Sequence, residues 1–517
     1  MATETPAALA AHFQLRVRAA PVLELLASSE AGAACFRYRC ANAARANAHL
    51  VTALREFGYA MVSAKHVDGQ PVIRCAFDTL ATQVDVDAFV NASIVLGAIA
   101  ANGSPVSAAF IGNLRQDGLP AYIGFAGLWR LELSGIEIST LGPLLEARLA
   151  RDPDDACAMM DIATLLILTL IPENRAPAFA MQARALERQQ VYRLPAGRTG
   201  GRIRVLAIAG PGDMTSITHL DCLLEASDVE LVVLYARQGQ PLPSTPPGHD
   251  LVFVAIGESA PNRPLLAQVD AYSKNLARRI FNRPDRILGL SRDRVSALLQ
   301  SVAGVDMPMT ASVGRDDLDR LARGDLTIDQ LLHDGCFPLI VRPLDSQGGR
   351  DLARLDDPAS VAAYLQATGD SAYFVSRFVD YRGADGLYRK YRVVLIEGRA
   401  FACHMAISTH WMIHYVNADM DESADKRAEE ARFMAGFDAG FALRHGPGLA
   451  QVDRLFGLDY YGIDCAETPE GRLLVFEADT AMLVHAMDRP DLYPYKLPQM
   501  EKLFAAFRQM LAKAVDA

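Results

Sequence analysis

Three carboxylates near the end of the chain, Asp464, Glu477 and Asp479, carry the strongest chemical signal in the sequence. Tyr461 to Ala466 reads as a short strand, Thr468-Pro469-Glu470-Gly471 as a turn, and Arg472 to Glu477 as a second, antiparallel strand. In such a hairpin Asp464 and Glu477 lie near one another, and Glu477 and Asp479, two apart, point to one face of an extended chain. Clustered acids repel unless something positive sits between them. Hard oxygen donors suit Mg²⁺, which takes one or two carboxylates and shares its other positions with phosphate oxygens and water. On residue types alone the patch reads equally as a metal site or as solvated surface.

The segments before the hairpin suggest what would position it. Phe337 to Pro343 reads as a buried strand carrying the cation Arg342, and Asp345-Ser346-Gln347-Gly348-Gly349 as a small loop whose N–H groups suit phosphate oxygens. Asp357 and Pro358 start a helix to about Ala367. Strand-like runs follow at Tyr373–Val379 and Tyr388–Ile396, and Glu397-Gly398-Arg399 turns into a third at Ala400–Ile407. Further upstream, Arg202–Ala209, Val229–Tyr235 and Leu251–Ile256 are buried-strand candidates alternating with helical stretches, the pattern of a parallel, doubly wound sheet. The loop Gly210-Pro211-Gly212-Asp213, with a helical stretch expected after it, falls where such sheets bind ligands. It is not a GxGxxG fingerprint, so no dinucleotide is expected.

This order of segments, from Arg202 to Ala517, resembles the ATP-grasp superfamily. Phe281-Asn282-Arg283-Pro284 looks like the N-x-P edge of the family's leading Rossmann-like domain, and Arg292 falls at its first ATP-contacting basic residue. Val341-Arg342-Pro343 stands at the v-K-P strand, Ser346 to Gly349 at the mobile phosphate loop, and Phe374 to Val379 at the adenine-holding hinge strand. Arg392-Val393-Val394 matches the D-x-R-v strand, and Asp464 with Glu477-Ala478-Asp479 the metal hairpin, spaced 13 and then 2 residues as in the D-alanine–D-alanine ligases. Both usual lysines are arginines here, Arg292 and Arg342; Asp479 replaces an asparagine, and Gly462 stands where many ligases carry an arginine.

The resemblance implies an α/β fold: an α+β ATP-grasp fold with a preceding Rossmann-like domain, plus a largely helical N-terminal region. The expected division is 1–140, mixed α/β of unknown role; 141–200, helical; 201–290, Rossmann-like; and 291–517, ATP-grasp in two lobes with a hinge near 373–380. The implied activity is an ATP-dependent carboxylate–amine ligase working through an acyl phosphate. The implied cofactors are ATP and Mg²⁺, with Mn²⁺ able to substitute. ATP contacts are expected from Arg292, Arg342, Ser346, Gly348, Gly349, Ser376, Arg377, Phe378, Val379 and Asp385, and metal contacts from Asp464, Glu477 and Asp479. Arg392 is expected to hold the acyl phosphate or oxyanion, alongside Arg342. Lys390, His404, His410 and His485, with Trp411 and His414 nearby, are candidates for the substrate side. A phosphotransferase and a degenerate nucleotide-binding scaffold are the alternatives.

The N-terminal part carries no chemical constellation. Pro21–Tyr59 reads as mostly helical, with Arg37-Tyr38-Arg39 as one solvated helical turn, and Pro71–Phe77 and Leu128–Ile138 as strands. Asp152-Pro153-Asp154-Asp155 predicts a helix start running to Ile171, with a second helix over Ala178–Tyr192. The pair reads as one tetratricopeptide-like unit, able to bind a protein or peptide, or as an ordinary helical hairpin. Pro195 to Gly201 reads as a linker.

The 517 residues have a formal net charge of −10 and no basic block, so nucleic acid is not an expected partner. The eight cysteines form no CxxC pair, which argues against a disulfide framework or zinc site. Met1–His12 lacks the pattern of a signal peptide, and the apolar run Met159–Ile171 is too short to span a bilayer. A cytoplasmic protein acting on a small molecule or peptide, without membrane contact, is expected. Dimers are frequent in the resembled family, which makes a homodimer an expected form.

Overall fold

The computed structural model describes residues 5–26, 32–57, 59, 61–67, 70–78, 80, 82–102, 115–116, 119–120, 122–133, 138–194, 196, 203–225, 227–344, 346, 349–414 and 417–516. Gly348 and most of the expected linker lie outside them. The chain divides into two compact units, Met1–Thr199 and Gly200–Ala517.

The first unit pairs a four-stranded antiparallel sheet with helices. The strands run in the order Leu23–Leu26, Ala33–Tyr38, Gln70–Ala76, Val62–Val67. Only Ala43–Glu56 of the stretch expected to be helical is so; Arg37 sits in a strand and donates to Glu24 at 2.7 Å. Pairing with the distant strand Gln70–Ala76 overrides the local helix preference of an alanine-rich segment. Of Leu128–Ile138, expected as a strand, the described residues are helical: Leu128 to Leu133 fall on the helix Gly124–Leu133, and Ile138 begins the helix Ile138–Arg151. That helix begins where the buried Asp161 carboxylate accepts from the N–H groups of Ile123 and Gly124, each at 3.0 Å. Helix Gln83–Asn102 is, among the described helices, the one long and apolar enough to cross a membrane. Here Val86, Phe89, Val90, Leu96 and Ile99 bury it in the core, and its Gly97 packs so close to the Tyr38 ring that a Cβ would sit 2.1 Å away. The helical pair is Ala156–Leu168, capped by Asp155 rather than Asp152, and Pro172–Arg188, which starts on a proline tolerated at the first turn.

In the second unit the parallel sheet forms as expected: Ile280–Phe281, Leu251–Val254, Ile203–Ala209 and Val229–Tyr235 are neighbours in that order. The loop after Ala209 leads to a single helical turn, Leu220–Leu223, shorter than the expected helical stretch. A four-stranded antiparallel sheet orders Thr310–Gly314, Ala372–Arg377, Leu339–Pro343 and Ala353–Leu355. A five-stranded sheet orders Val305–Asp306, Leu473–Asp479, Tyr460–Glu467, Tyr388–Ile396 and Arg399–Ser408. Helix Pro358–Ala367 is closed by an Asp357–Ser360 capping box. A parallel-stranded region followed by two strand-built lobes is the arrangement that the ATP-grasp resemblance implies.

Two joints fix the acid hairpin to the parallel sheet. Asn282, fully buried at φ +51°, exchanges side-chain hydrogen bonds with the backbone of Tyr460 at 2.7 and 2.9 Å. Phe507 of the last helix, Lys496–Asp516, packs edge-on against Tyr460 at 5.3 Å and against Phe253 at 5.8 Å.

Candidate functional site

The hairpin forms in the expected register, with Asp464 opposite Glu477 and Arg392 of the adjoining strand opposite Asp464. Asp479 lies opposite Gly462, whose missing Cβ leaves room for the Met482 sulfur, 2.7 Å from where that atom would be. An arginine at position 462 has no space.

Each acid is already answered. Asp464, almost fully buried, accepts from Arg392 at 2.8 and 3.0 Å and from Lys390 Nζ at 3.0 Å. Burial alone would raise its pKa, but the two cations hold the carboxyl far below the usual carboxylate range. Arg292 donates to Glu477 and to the carbonyl of Phe476, and its charge keeps Glu477 ionised against burial. Asp479 has only the Ala481 N–H, at 2.9 Å; burial, with the neighbouring Glu477 charge, pushes it up to about 7.

A cavity of about 210 Å³ opens between the four-stranded sheet and the five-stranded sheet. Phe378, Val379, Trp411, Ile413 and Phe476 make an apolar end, and Arg292, Arg342, Lys390, Asp464 and Glu477 a polar one, where Phe374 lies opposite Arg342. Four of the expected ATP contacts, Ser376 to Val379, line it. Their strand is flanked on both sides, so contact with a base falls to residues past Arg377. Burial and the neighbouring Arg292 lower the Arg342 pKa to about 9, and the Arg342 side chain donates to the carbonyl of Ser346. Two buried polar atoms beside this end, Arg342 Nε and Ser346 Oγ, have no hydrogen-bond partner among the described residues. Buried polar groups are ordinarily bonded, so these two mark a place shaped for a ligand. Gly349, at φ +74°, lets the His414 ring close in: a Cβ there would lie 2.4 Å from His414 Nε2. Burial, aided by Lys390, lowers the His414 pKa and keeps the ring neutral.

A smaller polar recess of about 60 Å³ shares Arg292 and Glu477 with this cavity. Ser346 and Asp479 line it, together with Glu258 and Arg263 from the end of the parallel sheet. Arg263 donates to Glu258 at 2.7 Å.

Several expected roles change. The three acids are not brought together as a metal centre: among the described residues, no group of three or more His, Cys, Asp or Glu side chains is placed to hold a metal ion. Cations engage both carboxylate oxygens of Asp464 and Oε2 of Glu477, and Asp479 lines the recess. Arg392 does not line the cavity; two of its guanidinium nitrogens donate to Asp464 and the third to the Leu483 carbonyl at 3.2 Å. Asp385 is paired with Arg389 at 2.6 Å on the surface, outside the cavity, which holds its carboxyl down to about 2. His404, opposite Arg392, is pushed well below its ordinary pKa by burial and the Arg392 charge, and lines neither space. His410 is exposed, and His485 accepts from the Met487 N–H at 3.1 Å; neither lines the cavity. Sequence reading missed Met307, Thr310, Glu258 and Arg263, which belong to no motif. For Glu258 and Arg263 the usable signal is their place just past the strand Leu251–Val254, at the ligand-binding end of a parallel sheet.

No family model matches the chain, and no curated protein matches it. Among solved structures it is similar to the D-Ala:D-Ser ligase VanG from Enterococcus faecalis, with 11% identity over 60% of this chain and 99% of that one and a TM-score of 0.39. It is also similar to a RimK-domain ATP-grasp protein from Sphaerobacter thermophilus, with 17% identity over 61% of this chain and 100% of that one and a TM-score of 0.34.

Proposed function

We propose that the chain is an ATP-dependent carboxylate–amine ligase whose nucleotide occupies the cavity between the four-stranded and five-stranded sheets. The observation that carries this reading is the cavity itself: an aromatic end, and a cationic end formed by Arg292, Arg342 and Lys390, where the buried Arg342 Nε has no hydrogen-bond partner among the described residues. In this reading Phe378, Trp411 and Phe476 hold the base, while Arg292, Arg342 and Lys390 neutralise the phosphates. The γ-phosphoryl group passes to a carboxylate oxygen of the substrate, leaving ADP and an acyl phosphate. An amine nitrogen then attacks the acyl carbon and phosphate departs. The side chains contribute position and fixed charge, the main sources of catalysis in phosphoryl transfer. The resemblance implies Mg²⁺, but the acids as placed offer no ready donor set, and no step is assigned to it.

A second reading is favoured by the same ion pairs: a cleft whose Asp464 and Glu477 are already paired with cations suits a nucleotide-binding scaffold. The deciding assay follows ADP and phosphate from ATP with paired panels of amino-acid or peptide carboxylates and amines, with and without Mg²⁺. Equal ADP and phosphate only when both substrates are present supports the ligase. A persistent phosphorylated product points to a phosphotransferase, and nucleotide binding without turnover across the panels to the scaffold.

A further inference from the structure

The polar end of the cleft carries an unusual charge inventory, and it bears on the form in which a nucleotide is held. Four cations, Arg292, Arg342, Lys390 and Arg392, gather at two acids, the buried Asp464 and the partly exposed Glu477. Lys390 and Arg392 are two apart on the strand Tyr388–Ile396, so their side chains project to one face, and that strand sets Arg392 opposite Asp464. Both cations therefore converge on one carboxylate. Arg392 uses its fork to hold Asp464 and does not line the cavity, whereas Lys390 reaches Asp464 Oδ2 at 3.0 Å and lines the cavity. Glu477, the acid opposite, is covered by Arg292, which also lines it.

A divalent ion on Asp464 and Glu477 would have to displace these ammonium and guanidinium groups, or sit among like charges in a buried place where repulsion is weakly screened. A lysine ammonium has three donors and acts as a compact point charge. With one donor on Asp464, Lys390 keeps others for oxygens entering from the cavity. Resting on the reading of this cleft as a nucleotide site, we infer that it takes up the polyphosphate without a divalent ion on its acids, Lys390 bridging Asp464 and a phosphate oxygen in the metal's place.

The test is calorimetric titration of the full chain with the non-hydrolysable ATP analogue AMP-PNP, in EDTA and in excess Mg²⁺. The expected result is binding in EDTA at least as tight as in Mg²⁺. Lys390→Met is expected to weaken binding in EDTA by about tenfold or more, the loss of one charge-assisted hydrogen bond, and Lys390→Arg to restore most of it. Arg392 still grips Asp464 in both variants, and circular dichroism checks that they fold. Wild-type binding that requires Mg²⁺ overturns the inference while keeping the nucleotide reading. Binding in EDTA that Lys390→Met leaves unchanged also overturns it. No binding in either buffer overturns both.

Discussion

Two aspartates, one in each unit, are equally hidden from water and titrate in opposite directions. Asp161 of the first unit is fully buried and answered by two neutral backbone N–H groups, and burial pushes it up to about 7. Asp464 of the second unit is as deep, but Arg392 and Lys390 hold it far below the ordinary range. Burial penalises the charged form in both; only formal positive charge at hydrogen-bond distance reverses the outcome. One site is a helix-capping joint, and the other is a charged floor under a cavity.

The largest expected effect comes from removing the charge that separates the two cases. Arg392→Met leaves Asp464 buried with a single cation and is expected to cost about 3–5 kcal/mol, read as a shift in the denaturation midpoint of the intact chain. A change below about 1 kcal/mol would break the claim that Arg392 serves the carboxylate.

Next is the joint in the first unit. Asp161→Ala strands two buried N–H groups and is expected to cost about 1–3 kcal/mol, while Asp161→Asn, keeping one acceptor oxygen, costs less. The two aspartates also predict opposite pH trends. Between an unfolded pKa of 3.8 and a folded value of about 7, the folded chain holds a proton on Asp161 that the unfolded chain has released. That part of the stability therefore falls as pH rises through this window, and Asp161→Asn should flatten it. Asp464 works the other way: its contribution is present above the unfolded pKa of 3.8 and is lost as pH falls towards its depressed folded value. Urea midpoints measured from about pH 4 to 8 would follow the same pH trend in wild type and Asp161→Asn if the backbone-only cap left Asp161 ionised.

The smallest effect is expected at a pair that looks similar on paper. Asp385 meets Arg389 at 2.6 Å but stands in solvent. Asp385→Ala is expected to change stability by less than about 1 kcal/mol and to leave AMP-PNP binding as it is in the wild type. Weakened binding would return Asp385 to the cleft.

Much of the second unit was legible because its signals are local. Asp357-Pro358 caps a helix that spans Pro358–Ala367, and the run of apolar and β-branched residues at Tyr388–Ile396 marks a strand whose bounds agree with the structure. The first unit was less readable. Its strands Leu23–Leu26 and Ala33–Tyr38 depend on pairing with residues far along the chain, and the helix Gly124–Leu133 starts against a carboxylate 37 residues away.

By itself the sequence determined the acid hairpin, the strands that flank it and the basic residues near it, because hydrophobic periodicity, caps and turn residues act over a few positions. Only the tertiary structure decided what those charges do. Which cation meets which acid depends on register between strands some 70 residues apart, as Lys390 and Arg392 meet Asp464. Whether a buried acid is a metal ligand, an ion-pair partner or a protonated group depends on the distance and charge of its neighbours, and residue spacing along the chain does not encode that.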